Sequence, residues 1–213
     1  MNLLSLKKLL DKVREELKQK EEVKEEIQKN MRKATRLSKQ AILLIHHGRF
    51  EEAKKSLKET DKLFAILTKL AKKHPELFYS GLVDAAFQEY AEAQILLSLV
   101  KEKQFVGPEE LNIPSIDYVL GLADVIGELR RRALDMLRKD DVKTAEKCLE
   151  MMEEIFDELM AMDDAYMPVP GLRRKCDIAR HVIETTRGEI TIEARRASLE
   201  RSIRKLEKVI TKK

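Results

Sequence analysis

Tryptophan is absent, and the 213 residues hold only seven glycines, five prolines and two cysteines. So few turn formers leave little room for the short strands and tight turns of a β architecture. Cys148 and Cys176 show neither Cys-x-x-Cys nor Cys/His spacing, which argues against a disulfide framework or a zinc site. Both fall within helical apolar patterns, where a thiol behaves as a small hydrophobe. No window reaches the ~18 uninterrupted apolar residues that span a bilayer. The start, Met1-Asn2-Leu3-Leu4, runs into a charged amphipathic segment with no cleavage site, so a cytoplasmic location without a membrane partner is expected.

What the chain does contain is charge. Charged residues make up 38% and apolar residues 43%, the balance of long amphipathic helices with solvated outer faces. Asn and Gln are scarce beside Lys and Glu, a hint of a heat-adapted, thermophilic source. The net charge of +4 is too small to draw nucleic acid through an overall field, so distribution matters more. Basic clusters stand at Arg32-Lys33, Arg36 and Lys39, at Arg130-Arg131-Arg132 and at Arg173-Arg174-Lys175. Taken alone, each reads first as a solvated helix face.

Apolar residues at three- and four-residue spacing predict an all-α protein of six or seven helices. The expected form is an elongated bundle with a very long first helix, in a single domain over residues 1–213. Leu6, Leu10, Val13 and Leu17, then Val23, Ile27, Met31, Ala34, Leu37, Ala41 and Ile45, run without Gly or Pro until Gly48. That makes one helix of more than forty residues, roughly 65 Å long, whose length calls for a partner. Its stretch from Glu15 to Lys29 reads as a solvated or coiled-coil-like arm. A second helix is expected from Phe50 to Lys73, with Ala53, Leu57, Leu63, Ile66, Leu67 and Leu70 inward and Pro75 closing it. A third runs from about Glu76 to Glu102 and is apolar on more than one face between Leu82 and Val100. Gly107-Pro108 and Ile113-Pro114 place a loop over Phe105 to Ser115. Ser115 or Asp117 is then expected to cap a fourth helix to about Arg138, and Asp140-Asp141 a fifth from Val142 to about Asp163. After Pro168-Val169-Pro170-Gly171, a final helical region from Leu172 to Lys213 is expected, interrupted near Gly188. Leu199, Ile203, Leu206 and Ile210 should form the inner face of its last part.

Two acidic pairs stand out. Glu89 and Glu92 are three apart on the third helix, and Asp124 and Glu128 four apart on the fourth, so each pair projects from one helical face. Their sequence neighbours are apolar, and carboxylates taken from water need a cation or hydrogen-bond donors to compensate. A short loop would make the two helices antiparallel neighbours, and four carboxylates are hard oxygen ligands suited to Mg²⁺ or Mn²⁺. Two such ions about 4 Å apart can clamp a phosphodiester and activate water. Spacing alone favours a plainer alternative, in which the acids pair with Arg130, Arg131, Arg132 or Lys101 across a helical interface. A di-iron centre is excluded because no Glu-x-x-His motif exists: Leu43, Leu44, Ala71 and Ile178 stand three before the four histidines. Nor is there a Ser-His-Asp arrangement or a Gly-rich phosphate loop.

Residues 114 to 131, PSIDYVLGLADVIGELRR, resemble the Asp-Tyr-x-x-Gly segment of the translin superfamily, and the Gly-x-Ala-Asp-x-x-Gly-Glu-Leu core is similar to the TRAX branch. Residues 87 to 93, FQEYAEA, resemble the Glu-x-x-Glu segment of TRAX, with weaker matches at residues 38 to 46, SKQAILLIH, and at 172 to 175, LRRK. The resemblance implies an all-helical subunit, a hollow octamer and metal-dependent endoribonuclease activity on single-stranded RNA. Carried over by position, Glu89, Glu92, Asp124 and Glu128 are the metal-binding and catalytic acids, with Mg²⁺ or Mn²⁺ as cofactor. It turns the balance from interface pairing to catalysis, because the non-catalytic translin branch lacks the full acidic set. The short loop between the third and fourth helices, with no nuclear targeting run or long tail, resembles archaeal members in which one chain type builds a homo-oligomeric shell. Expected RNA contacts are Arg36, Lys39 and Arg131, then Arg173 and Arg174, neutralising phosphates without reading sequence. The competing readings are a translin-like shell that binds single-stranded RNA or DNA without cutting, and a helical scaffold whose first helix serves assembly alone.

Overall fold

The computed structural model describes residues 3–73, 81–162 and 168–210. Among these residues the chain is all-α, with seven helices and no strand. It divides into two compact units, Met1–Gln104 and Phe105–Lys213.

In the first unit, α1 (Leu3–His46), α2 (Phe50–Lys73) and α3 (Gly81–Lys101) pack on one another. The 44-residue α1 is the long helix that the uninterrupted apolar repeat predicts. Burial, however, begins only at Ile27 and continues through Met31, Ala34, Leu37, Ala41 and Ile45, while Leu6, Leu9, Leu10, Val13 and Leu17 are exposed. The same periodicity therefore builds a core at one end and an uncovered apolar stripe at the other. Gly48, at φ 73°, takes the left-handed conformation that lets α1 stop and the chain turn into α2. On α2 the expected inward residues Ala53, Leu57, Leu63 and Leu67 are buried, but Ile66 is exposed and Phe64 takes a buried place instead. The α3 helix is buried along most of its length, as its loss of a polar face predicts. Pro75 and the expected first turn of α3 at residues 76–80 lie outside the described residues.

In the second unit, α5 (Ser115–Leu137), α6 (Val142–Ala161) and α7 (Leu172–Ile210) pack on one another. The expected loop before α5 contains a one-turn helix, α4 (Pro108–Leu111), which Pro108 opens and the Glu110 carboxylate steadies by accepting from the Gly107 amide at 3.0 Å. Neither Ser115 nor Asp117 caps α5: Pro114 occupies the cap position, Ser115 is already helical, and Asp117 is buried in the first turn. Asp141 does cap α6, accepting from the Thr144 amide at 3.0 Å. The expected end of α6 at Asp163 lies outside the described residues.

The final helix corrects two expectations. Gly188 does not interrupt α7, because a glycine in an otherwise good helical sequence weakens the helix without breaking its hydrogen bonds. Leu199, Ile203, Leu206 and Ile210 are all exposed and form no inner face within the chain. The buried side of α7 is Leu172, Cys176, Ala179, Ile183, Thr186 and Ile190. Burial pushes the Cys148 thiol up to about 11, consistent with a small hydrophobe rather than a reactive thiolate.

Candidate functional site

The two acidic pairs belong to different units. In the first, Glu89 and Glu92 sit half-buried on α3, the residues between them, Tyr90 and Ala91, pointing into the core. Tyr90 holds this turn in place: its hydroxyl donates to the Asp61 carboxylate of α2 and accepts from Gln94 at 2.7 Å, and its ring meets Phe64 edge-on at 5.2 Å. Burial, then the neighbouring Asp61, push the phenol well above its ordinary pKa, so it remains a neutral donor. Against this turn stands Lys39 of α1, its Nζ 3.0 Å from Glu89 Oε1. The hydrogen bond to Glu89, then the charge of Glu89 and more weakly that of Glu92, raise the Lys39 pKa against a small desolvation effect. The ammonium thus pairs with Glu89.

In the second unit, Asp124 and Glu128 occupy consecutive turns of α5, beside the fully buried Val125, Ile126 and Leu129. The register of α5 against α7 is set by Arg130, which donates to Thr186 at 2.6 Å and to Glu189 at 3.1 Å. From α7, Lys175 donates to both oxygens of Asp124 at 2.5 Å. Arg131 is 3.9 Å from Glu128, an ion pair without hydrogen-bond geometry.

These contacts bear on the cations that the sequence offers as partners of the acids. Of the cations expected to neutralise the acids across an interface, Lys101 pairs with Glu51 at 2.7 Å, Arg130 with Glu189, and Arg132 lies by Cys148. Arg131 approaches Glu128. The shorter contacts to Glu89 and Asp124 come instead from Lys39, expected on RNA, and from Lys175, which had no assigned role. A helical signal for Lys175 was available: Leu172, Cys176 and Ala179 mark the inner stripe of α7, and Lys175 lies at its edge while Arg173 and Arg174 face solvent. Arg36 is also exposed, on a face of α1 shared with Lys29, Arg32 and Lys33, where a shallow groove opens.

The donor set suits a hard divalent cation, since all four acids offer carboxylate oxygens and one ammonium in each unit already stands in for positive charge. Among the described residues no three His, Cys, Asp or Glu side chains are grouped to hold a metal ion, so what each unit offers by itself is a carboxylate pair.

The translin family model matches residues 22–211, nearly the whole chain. The chain belongs to the translin family. An uncharacterized protein of Methanocaldococcus jannaschii is 37% identical over 141 residues, a match covering 66% of this translin-family chain and 62% of that relative's length. Among solved structures, AfC3PO in complex with duplex RNA superposes with a TM-score of 0.77 at 34% identity, covering 87% of this chain and 96% of that one. Apo-NeC3PO gives 0.79 at 27% identity, covering 86% and 96%. AfC3PO alone gives 0.78 at 34%, covering 87% and 96%.

Proposed function

We propose that this translin family member is a TRAX-like, Mg²⁺- or Mn²⁺-dependent endoribonuclease that acts on single-stranded RNA within a hollow homo-octamer in the cytoplasm. Glu89, Glu92, Asp124 and Glu128 are its metal-binding and catalytic acids, and residues 1–213 work as one functional domain. The observation that carries the reading is the same in both units: two carboxylates on adjacent turns of a buried helix, one of them held by a lysine from another helix. A structural interface would serve as well with neutral groups, whereas partly exposed carboxylates kept beside an ammonium suit a site that takes cations.

When bound, a divalent ion supplies Lewis acidity and an activated water for phosphodiester hydrolysis. The chain's own residues do the rest. Tyr90 fixes the Glu89–Glu92 turn, Arg130 fixes the Asp124–Glu128 turn, Lys39 holds Glu89 and Lys175 holds Asp124. Arg36, Arg131, Arg173 and Arg174 are exposed cations that would neutralise phosphates, with Lys39 joining them once it leaves Glu89. The similarity to AfC3PO, whose solved complex holds duplex RNA, supports RNA as the ligand class. The exposed stripes at the start of α1 and the end of α7 support assembly, since uncovered apolar surface of that kind calls for a partner. No described helix is long and apolar enough to cross a membrane.

The second reading, a non-catalytic shell for single-stranded RNA or DNA, is favoured by the neutralisation of Glu89 and Asp124 in the chain as it stands. Single-turnover cleavage of end-labelled single-stranded RNA with Mg²⁺ separates the two. Wild type should cut and Glu128→Ala should not; equal cutting by both removes the assignment to these acids, and binding without cutting by wild type establishes the shell. Running duplex RNA and single-stranded DNA alongside tests the strand preference.

A further inference from the structure

Lys175 closes on Asp124, a contact for which the resemblance that assigned the acids gives no role. Its Nζ reaches both carboxylate oxygens at 2.5 Å, with the lysine side chain 27% and the aspartate 37% exposed. The backbone on either side is pinned, because Leu172 and Cys176 are buried against the unit's core. The contact therefore depends on the fold of α7 on α5 and is not a chance meeting of two mobile side chains.

An ammonium in that position has two effects. It holds the carboxylate in one orientation, which lowers the reorganisation needed to bind a cation. It also competes with any divalent ion for the same oxygens. Lysine suits such a competitor better than arginine: it is a point charge on a flexible stem, without the two-pronged grip of a guanidinium, and can swing away without disturbing the helix. Partial exposure leaves it a path to solvent.

We propose that Lys175 is a positioning residue of the metal site, a tethered counter-ion that orients Asp124 and sets the divalent-ion affinity by being displaced when the ion binds. The inference rests on the metal-dependent reading above. It makes metal loading an exchange of one cation for another, so the Asp124–Glu128 face never carries two uncompensated charges.

The test is Mn²⁺ binding to the full-length protein without RNA, followed by electron paramagnetic resonance of the free ion. Lys175→Met should bind Mn²⁺ about three- to tenfold more tightly than wild type, the range expected for removing a partly exposed competing charge. Lys175→Arg, which keeps the charge and adds a two-pronged grip, should bind Mn²⁺ no more tightly than wild type. Lys175→Gln serves as the second variant if Lys175→Met loses helicity, since it keeps a polar stem without the charge. A crystal soaked in Mn²⁺ should show the Lys175 ammonium withdrawn from Asp124. Unchanged or weaker Mn²⁺ binding by a folded, uncharged variant overturns the proposal while leaving the metal-dependent reading intact. If wild type binds no Mn²⁺, or binds it equally after Asp124→Asn, the metal-dependent reading falls and this inference with it.

Discussion

The two acidic faces of this chain use one design at different tightness. On α3, Lys39 reaches a single oxygen of Glu89 at 3.0 Å and is itself 63% exposed, against 24% for the glutamate. On α5, Lys175 is the more enclosed partner and spans both oxygens of Asp124. An exposed ion pair contributes little and is screened by salt, whereas an enclosed, doubly hydrogen-bonded one holds its carboxylate more firmly. Local neutralisation is thus common to both units, but the α5 face should control metal loading more strongly, and Lys39 should be freer to turn to phosphate.

The largest effect expected is on cleavage. Asp124→Asn and Glu128→Ala should each lower single-turnover cutting by more than about a hundredfold, since loss of even an outer partner of a metal ligand costs about 10–100-fold. Glu89→Gln should match them if the two faces contribute equally. A much smaller loss there, in the same labelled-RNA assay, would place the burden on α5.

Stability divides the molecule along another line. Leu129→Ala, in the fully buried row behind Asp124 and Glu128, should cost about 2–5 kcal/mol in urea unfolding monitored by circular dichroism. Leu206→Ala on the exposed stripe of α7 should change chain stability by no more than about 0.5 kcal/mol. Its effect should appear as a smaller assembly in sedimentation velocity. Gly127, between the two acids, has open space where a Cβ would point, so Gly127→Ala should stabilise α5 by about 0.5–1 kcal/mol. A loss of cleavage in that more stable variant would show that substrate approaches the α5 backbone at Gly127.

Three smaller effects concern the cations of α1. Lys39→Met should tighten Mn²⁺ binding less than Lys175→Met, and Arg36→Ala should lower the magnitude of the salt slope of RNA binding by about one unit, read by fluorescence anisotropy between two salt concentrations. The Lys39 pKa is raised by its hydrogen bond to Glu89, so its folded value lies above its unfolded one. Its contribution to stability is therefore full below the ordinary lysine value of 10.5 and fades as pH rises through the folded value. The stability gap between wild type and Lys39→Met should narrow above that pH in thermal melts. With so exposed a lysine, this is the smallest effect expected.

Helix identity was legible from the residues because burial and the 3.6-residue repeat impose the same spacing wherever a helix packs. Even the Asp141 cap could be read, since an aspartate before a helical run finds its partner three residues on. The four acids were legible for the same reason, as pairs sharing a helical face. Less could be read where a residue's role depends on distant partners. Ile27 and Leu17 look alike in sequence, yet only Ile27 finds another helix to cover it. Ser115 looks like a cap, yet Pro114 precedes it with the fixed φ that opens a helix.

By itself, then, the sequence determined an all-helical chain, the length of α1, the two acidic faces and the family resemblance, all of which follow from spacing within one helix or from contiguous motifs. Tertiary structure alone decided which half of α1 and which stretch of α7 are covered, and which cations meet the acids. Those outcomes depend on residues far apart in the chain, Lys39 with Glu89 and Lys175 with Asp124, brought to hydrogen-bond range by the packing of helices within each unit. Local periodicity carries no information about such partners.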